Sequence, residues 1–340
     1  MHEGRERKFG CLGSRAKALV CEKRYQGKAA LKSTHSHIIS VMTGFFTSPL
    51  PPEAKAFYDE NGFLVVEGAF SPAEVAALNK ETVRICRGER GEFDGRVETQ
   101  EGETDDEVVS RYLCIHFPHK ISPMMTEQIS HEAIVNALTA VIGPNVNCMH
   151  SMLFVKSAGK PGQAWHQDEA YIPTRDRSLT GVWLALDDAT LENGCLWVVP
   201  GSHKSGVLWP MRFHEDDRFD CAHESYQTPY SDDDAVAVEV KAGSIVVFNG
   251  YTLHRSLPNR SSSGFRRALV NHYMSAESLL PWIWPSEPTG LAMHDHRDVI
   301  LVAGTDPYAY KGTEQIMKPH IRPDGEGGCV DGVRKDKGYA

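Results

Sequence analysis

Beyond Pro51 the hydrophobic positions recur with two successive periods, helical first and strand-like afterwards. Glu53–Asn61 predicts a short helix and Phe63–Val66 a strand. Ser71-Pro72-Ala73-Glu74 reads as a capping box with proline at the first helical position, and Val75, Leu78 and Ile85 then recur on one face. A second helix carries Ile134, Leu138, Val141 and Ile142 and stops at Gly143-Pro144. After Gly143 the repeat shortens. Cys148–Lys156, Gly181–Asp187, Leu196–Val199, Val236–Val240, Ser244–Phe248 and Arg267–Met274 predict short strands rich in Val, Leu, Phe and Trp. Turn clusters separate them at Lys160-Pro161-Gly162, Glu192-Asn193-Gly194, Pro200-Gly201-Ser202 and Ala242-Gly243. Helices followed by many strands predict an α+β chain, mainly β, with a jelly roll or closed sandwich as its core. The segment from Pro319, rich in Gly, Asp and Lys, is expected to fray.

Composition narrows the class. Apolar residues are 41% of the 340 positions, enough for a large core and too many for a disordered chain. The longest apolar stretch, around residues 37–46, is broken by Ser40, Thr43 and Gly44, far short of the ~20 residues of a membrane helix. Residues 1–50 hold nine Lys/Arg and three Glu, net +6, whereas the remaining 27 basic and 42 acidic residues give the body −15. An acidic body repels phosphate backbones, so no nucleic-acid partner is expected. The eight cysteines never lie closer than ten residues apart. That spacing excludes a zinc ribbon or a C-x-x-C redox motif and fits a reducing compartment, taken as cytoplasmic.

The first 41 residues lack periodicity and the apolar stretch of a secretory signal, and Glu3, Glu6 and Glu22 argue against a mitochondrial presequence. They read as a disordered extension or as sequence upstream of a start at Met42. The expected organisation is a basic extension over 1–50, one folded domain over 51–322 and a flexible tail over 323–340.

Candidate chemistry lies at His166-Gln167-Asp168. On a strand, residues i and i+2 point to one face, so this imidazole and this carboxylate can share one metal. His254 follows 86 residues after Asp168, just past the strand ending at Phe248. Two His and one carboxylate on one face of an octahedron leave three open positions, as in non-haem Fe(II) oxygenases. Among sixteen histidines chance pairs are expected, and His294-Asp295-His296 and His296-Arg297-Asp298 are competitors. They lack a strand pattern and an evident third ligand, and a surface loop is the reading taken. A basic residue strengthens the first set. Strand alternation puts Arg266, Ala268 and Val270 on one face and Arg267, Leu269 and Asn271 on the other. An inward guanidinium beside a metal calls for an anion, and its fork suits a carboxylate such as the far one of 2-oxoglutarate.

Trp165-His166-Gln167-Asp168, Asn193-Gly194-Cys195-Leu196, Pro200-Gly201-Ser202-His203-Lys204, and His254 with Gly264-Phe265-Arg266 together resemble the phytanoyl-CoA dioxygenase family, over roughly Phe57 to Arg322. The resemblance implies a double-stranded β-helix flanked by N-terminal helices, with Fe(II), 2-oxoglutarate and O2 as cofactor and cosubstrates. It implies His166, Asp168 and His254 as iron ligands and Arg266 as the grip on the far carboxylate. Ser256 matches a hydroxyl that helps hold the cosubstrate, and Met152 and Trp183 match residues lining its pocket. The interval from His254 to Arg266 is one residue longer than is usual in the family, which leaves Arg267 as the alternative. A further basic contact of the family matches Arg111 only loosely. Taken without the resemblance, Trp183 and Met152 read more often as core, His150 reads equally as buried or substrate-facing, and Lys156 reads as a solvated strand end.

Two function classes follow. The leading one is an oxygenase that hydroxylates an aliphatic C–H of a small-molecule metabolite and releases succinate and CO2. The other is a catalytically silent jelly roll kept for binding. Within the first class, an acyl-CoA or lipid substrate is the alternative, against which the acidic body argues, since clustered Lys/Arg normally receive the phosphates of coenzyme A. Substrate identity and oligomeric state are not encoded in readable form. Specificity would lie in loops such as Tyr171–Leu179, Val207–Asp234 and Leu279–Asp298.

Overall fold

A computed structural model describes residues 44–220, 223–282 and 295–324. The expected N-terminal extension before residue 44, the tail beyond residue 324 and His294 lie outside the described residues. The described chain is mostly β with a few helices.

Among the described residues five α-helices occur, α1 (Pro52–Asn61), α2 (Pro72–Cys86), α3 (Asp105–Ser110), α4 (Pro123–Glu127) and α5 (Glu132–Val141). The strands are β1 (Phe45–Thr47), β2 (Phe63–Glu67), β3 (Tyr112–His116), β4 (Val146–Ser157), β5 (Gln163–His166), β6 (Thr180–Ala185), β7 (Leu196–Val198) and β8 (Met211–Phe213). They continue with β9 (His223–Ser225), β10 (Val236–Val238), β11 (Ile245–Asn249), β12 (His254–Ser256), β13 (Phe265–Ser275), β14 (Ile300–Ala303) and β15 (His320–Pro323). Among the described residues the large sheet runs β1-β2-β11-β6-β13-β4-β3-β15 with β14 beside β4, and a four-stranded sheet runs β10-β7-β12-β5.

Local chemistry explains the helix starts. The Glu74 carboxylate accepts from Ser71 N–H at 2.7 Å while Ser71 Oγ accepts from Glu74 N–H at 3.3 Å, which satisfies two orphan donors at the N-terminus of α2. Ser71→Ala is expected to cost about 1 kcal/mol of stability without touching the site. Urea unfolding checks this, and an unchanged midpoint would show that packing alone holds the helix.

Strand alternation sorts the side chains between two cores. Val182 and Leu184 of β6, Leu269 and Tyr273 of β13, and Leu153 of β4 join the helix residues Leu78, Ile85, Ile134 and Leu138 in one cluster. The opposite faces, with Trp183, Ala268 and Val270, pack against Leu196 and Val198 of the small sheet. The site therefore sits on the face turned away from the helices.

One expectation is overturned. The segment from Pro319 does not fray at once, because His320–Pro323 pairs antiparallel with β3, Ile321 facing Ile115. Ile321 is buried there, its N–H donates to Asp94 O at 2.8 Å and Arg322 pairs with Asp220, which together with the ladder to β3 dock this edge strand.

Candidate active site

The register of the small sheet brings two histidines together. His254 of β12 lies opposite His166 of β5, with ring centroids 4.2 Å apart. Asp168 does not continue the strand, as simple alternation required. It opens a 3-10 turn, Asp168–Ala170, and reaches the histidines from that turn. What bends the chain is Gln167, fully buried, whose Nε2 donates to Val207 O at 3.0 Å and Tyr251 O at 2.8 Å and whose Oε1 accepts from Trp209 N–H at 2.9 Å.

The three ligand atoms of His166, Asp168 and His254 all lie within 4.8 Å of one another. Asp168 Oδ1 is 3.6 Å from each Nε2. His166 Nδ1 lies 2.7 Å from Ala164 O, and His254 Nδ1 lies 2.9 Å from Thr252 O. A carbonyl only accepts, so both Nδ1 atoms carry a proton and both Nε2 atoms are turned toward the carboxylate. Burial and the neighbouring His254 push the His166 imidazole down to about 4, which keeps it neutral near pH 7. Burial alone would raise the Asp168 carboxyl, but the imidazoles of His254 and His272 bring it below its usual range. Two imidazole nitrogens and one carboxylate oxygen converge, which is a donor set suited to Fe(II).

His272 is a residue that sequence reading missed. Its Nε2 lies 2.8 Å from Asp168 Oδ2, the oxygen turned away from the histidine pair, and its Nδ1 lies 3.0 Å from His150 Nδ1. The signal was available, since His272 shares a strand face with Arg266 and Val270. A hydrogen-bonded partner of this kind orients a metal-binding carboxylate.

The cluster forms one wall of a cavity of about 450 Å³, and Arg266, Ser256, Met152 and Trp183 line the same cavity. Arg266 is 3% exposed, stacks with its guanidinium carbon 5.5 Å from the Trp183 ring centroid, and leaves Nε without a partner. Burial lowers it to about 10, so it stays cationic at neutral pH. A buried cation with an orphaned N–H fits a carboxylate ligand. Arg267, on the opposite face, holds Asp187 in a fork, Nε to Oδ2 at 2.8 Å and Nη2 to Oδ1 at 2.7 Å.

Two further expectations are corrected, those for Lys156 and for His296-Arg297-Asp298, and the loose match at Arg111 gains no support. Lys156 is not a solvated strand end. It is 5% exposed, and its Nζ donates to Ser256 Oγ and Leu257 O. Arg111 pairs with Glu103 and donates to Glu98 O, and it is not among the residues lining the cavity. The segment His296-Arg297-Asp298 is buried rather than a surface loop, because Arg297 pairs with Asp306 at 2.5 Å and Asp298 with Lys120 at 2.5 Å. That pairing makes it a structural latch.

Residues 58–268 match the family model of phytanoyl-CoA dioxygenase (PhyH). The phytanoyl-CoA dioxygenase of Arabidopsis thaliana is 30% identical over 271 residues, which covers 68% of this chain and 91% of the relative. The peroxisomal phytanoyl-CoA dioxygenase of Bos taurus is 28% identical over 277 residues, covering 78% and 80%. Among solved structures, EvdO2 of Micromonospora carbonacea var. aurantiaca complexed with 2-oxoglutarate is 25% identical with a TM-score of 0.51, covering 70% of this chain and 95% of that one. The non-haem α-ketoglutarate-dependent carbocyclase SnoK from nogalamycin biosynthesis shares the fold at 23% identity and a TM-score of 0.54, covering 75% and 97%. The family match spans more than half of the sequence, and the chain belongs to the phytanoyl-CoA dioxygenase family of iron(II)- and 2-oxoglutarate-dependent oxygenases.

Proposed function

We propose that this enzyme hydroxylates an aliphatic C–H of a small, uncharged or weakly charged metabolite. In this reading His166, Asp168 and His254 hold the iron, and Arg266, Ser256, Met152 and Trp183 hold 2-oxoglutarate. The observation that carries it is the convergence of the three ligand atoms within 4.8 Å on a cavity wall shared with a buried guanidinium. When bound, iron(II) with 2-oxoglutarate and O2 supplies oxidation of an unactivated C–H, coupled to release of succinate and CO2.

The chain supplies the rest. His166 and His254 present Nε2 atoms whose orientation is set by Ala164 O and Thr252 O. Asp168 offers one oxygen to the metal while His272 holds the other. Arg266 receives the far carboxylate of the cosubstrate, and Ser256 adds a hydroxyl beside it. Phe117, Ile172, Trp282 and Met317 line the same cavity and keep water from the reacting C–H. The large and small sheets packed face to face favour a double-stranded β-helix as the detailed topology. The four described cysteines, Cys86, Cys114, Cys148 and Cys195, are buried and none is in a disulfide, which fits a reducing compartment such as the cytoplasm. No described helix is long and apolar enough to cross a membrane.

The substrate class follows from charge. Among the described residues lining the cavity, Arg266 and Arg322 are the only Lys or Arg, and Arg322 is paired with Asp220. A coenzyme A moiety needs more cations than that to receive its phosphates. The names of the curated relatives favour an acyl-CoA as second reading. The test measures substrate-dependent succinate release with an acyl-CoA and with free small metabolites at equal concentration. Turnover is expected on a free metabolite, and robust turnover on the acyl-CoA alone would overturn the proposal. Substrate-independent silence across the panel, with no uncoupled succinate, would favour a binding role.

A further inference from the structure

Two basic side chains are buried side by side at one end of the cavity, and only one of them lines it. Lys156 and Arg266 are cross-strand partners on β4 and β13, 5% and 3% exposed, and among the described residues neither is in an ion pair. Lys156 follows His150, Met152 and Phe154 at alternate positions of β4, and those three side chains line the cavity. Burial and the neighbouring Arg266 both act to strip the Lys156 ammonium of its proton. Such an arrangement is costly in a protein that gains nothing from it.

The bonds of Lys156 show what it is set to do. Its Nζ faces three oxygens, Leu257 O at 2.7 Å, Ser256 Oγ at 2.9 Å and Gly194 O at 3.4 Å. Two of these are carbonyls, which only accept, and an ammonium has three N–H donors to match the three oxygens. Gly194 has a structural reason to be glycine here. Its φ is +83°, and a Cβ would lie 2.2 Å from Leu257 O and 3.0 Å from Lys156 Nζ. Ser256 Oγ also receives Gln163 N–H at 3.3 Å. Both lone pairs of that hydroxyl are then occupied, so its own proton is left to donate. Ser256 lines the cavity beside Arg266, and the proton points to an acceptor there.

We propose that Lys156 is a positioning residue for the 2-oxo acid. It locks Ser256 as a donor into the cavity beside Arg266, so the site selects a dianionic 2-oxo acid over a monoanionic one. The inference rests on the reading that 2-oxoglutarate is the cosubstrate, with its far carboxylate at Arg266. Lys156 does not touch the ligand; it acts through Ser256.

The test is calorimetric binding of 2-oxoglutarate and of 2-oxobutyrate, which lacks the far carboxylate, to the Mn(II)-loaded full chain without O2. Lys156→Met is expected to raise the Kd for 2-oxoglutarate by about tenfold or more, the scale of a lost hydrogen bond to a charged group, and to leave the Kd for 2-oxobutyrate within about twofold. Adding Lys156→Met to Ser256→Ala should cost less than it does in the unmodified chain. An equal loss for both acids would mark a merely structural lysine and overturn the proposal. Should Lys156→Met fail to fold by circular dichroism, Ser256→Ala carries the same selective expectation, and unchanged 2-oxoglutarate affinity in that variant overturns it. If the unmodified chain binds neither acid, the cosubstrate reading itself falls. If the unmodified chain binds 2-oxoglutarate and both variants bind it equally well, only the role of Lys156 falls.

Discussion

Replacing His166 or His254 with alanine is expected to abolish O2-dependent succinate formation, because either change leaves two ligands where three converge within 4.8 Å. The loss should appear in metal content as well as turnover, so dialysed protein assayed for bound iron separates a metal defect from a substrate defect. His272→Ala makes a graded comparison. It removes the bond to Asp168 Oδ2 while leaving the three ligand atoms in place, and outer contacts of this kind typically cost about 10–100-fold in metal affinity or activity. The expected order is therefore no activity for His166→Ala and His254→Ala and a reduced but measurable rate for His272→Ala. Full activity in either first variant would sink the assignment of the iron ligands. It would promote the pair His294 and His296 instead, whereas in His296-Arg297-Asp298 the last two residues are committed to Asp306 and Lys120.

The same residues show what a sequence can and cannot convey. Period-two alternation along β13 is a local property, and it put Arg266 on the face shared with Ala268 and Val270, which is the cavity face in the structure. The helix start at Ser71 and the helix carrying Ile134 and Leu138 were similarly legible, because capping and apolar spacing are set within a few residues. Lys156 was misread for the opposite reason. A charged residue at a strand end is ordinarily solvated, and only the cross-strand pairing with β13 and the turn at Gly194 bury it. Asp168 lies between these cases. Its partnership with His166 was visible in the spacing, but the 3-10 turn that delivers it depends on Gln167 reaching Val207 and Tyr251, forty and eighty-four residues away. His320–Pro323 escaped notice because its docking is decided by β3, two hundred residues earlier in the chain.

Arg266 and Arg267 are adjacent in sequence and opposite in consequence. Arg266→Ala is expected to raise the 2-oxoglutarate KM strongly. The far carboxylate would then sit unpaired in a site where the guanidinium is 3% exposed, and losing one partner of a desolvated charge pair costs about 2–5 kcal/mol, a factor of roughly thirty to a few thousand. The kcat at saturating 2-oxoglutarate should fall less, since the iron ligands and the substrate end of the cavity are untouched. Arg267→Ala should leave that KM unchanged. Its fork to Asp187 lies on the face away from the cavity, and its loss should cost about 1 kcal/mol or less of stability. Lysine at position 266 is a sharper probe than alanine. It keeps the charge but lacks the planar fork and the stacking on Trp183, so Arg266→Lys should recover only part of the affinity. Initial-rate kinetics in 2-oxoglutarate on the three variants decide the matter. A KM raised in Arg267→Ala and unchanged in Arg266→Ala would mean that the longer interval after His254 has moved the anchoring arginine by one position, with Asp187 displaced from its present partner to let it turn inward.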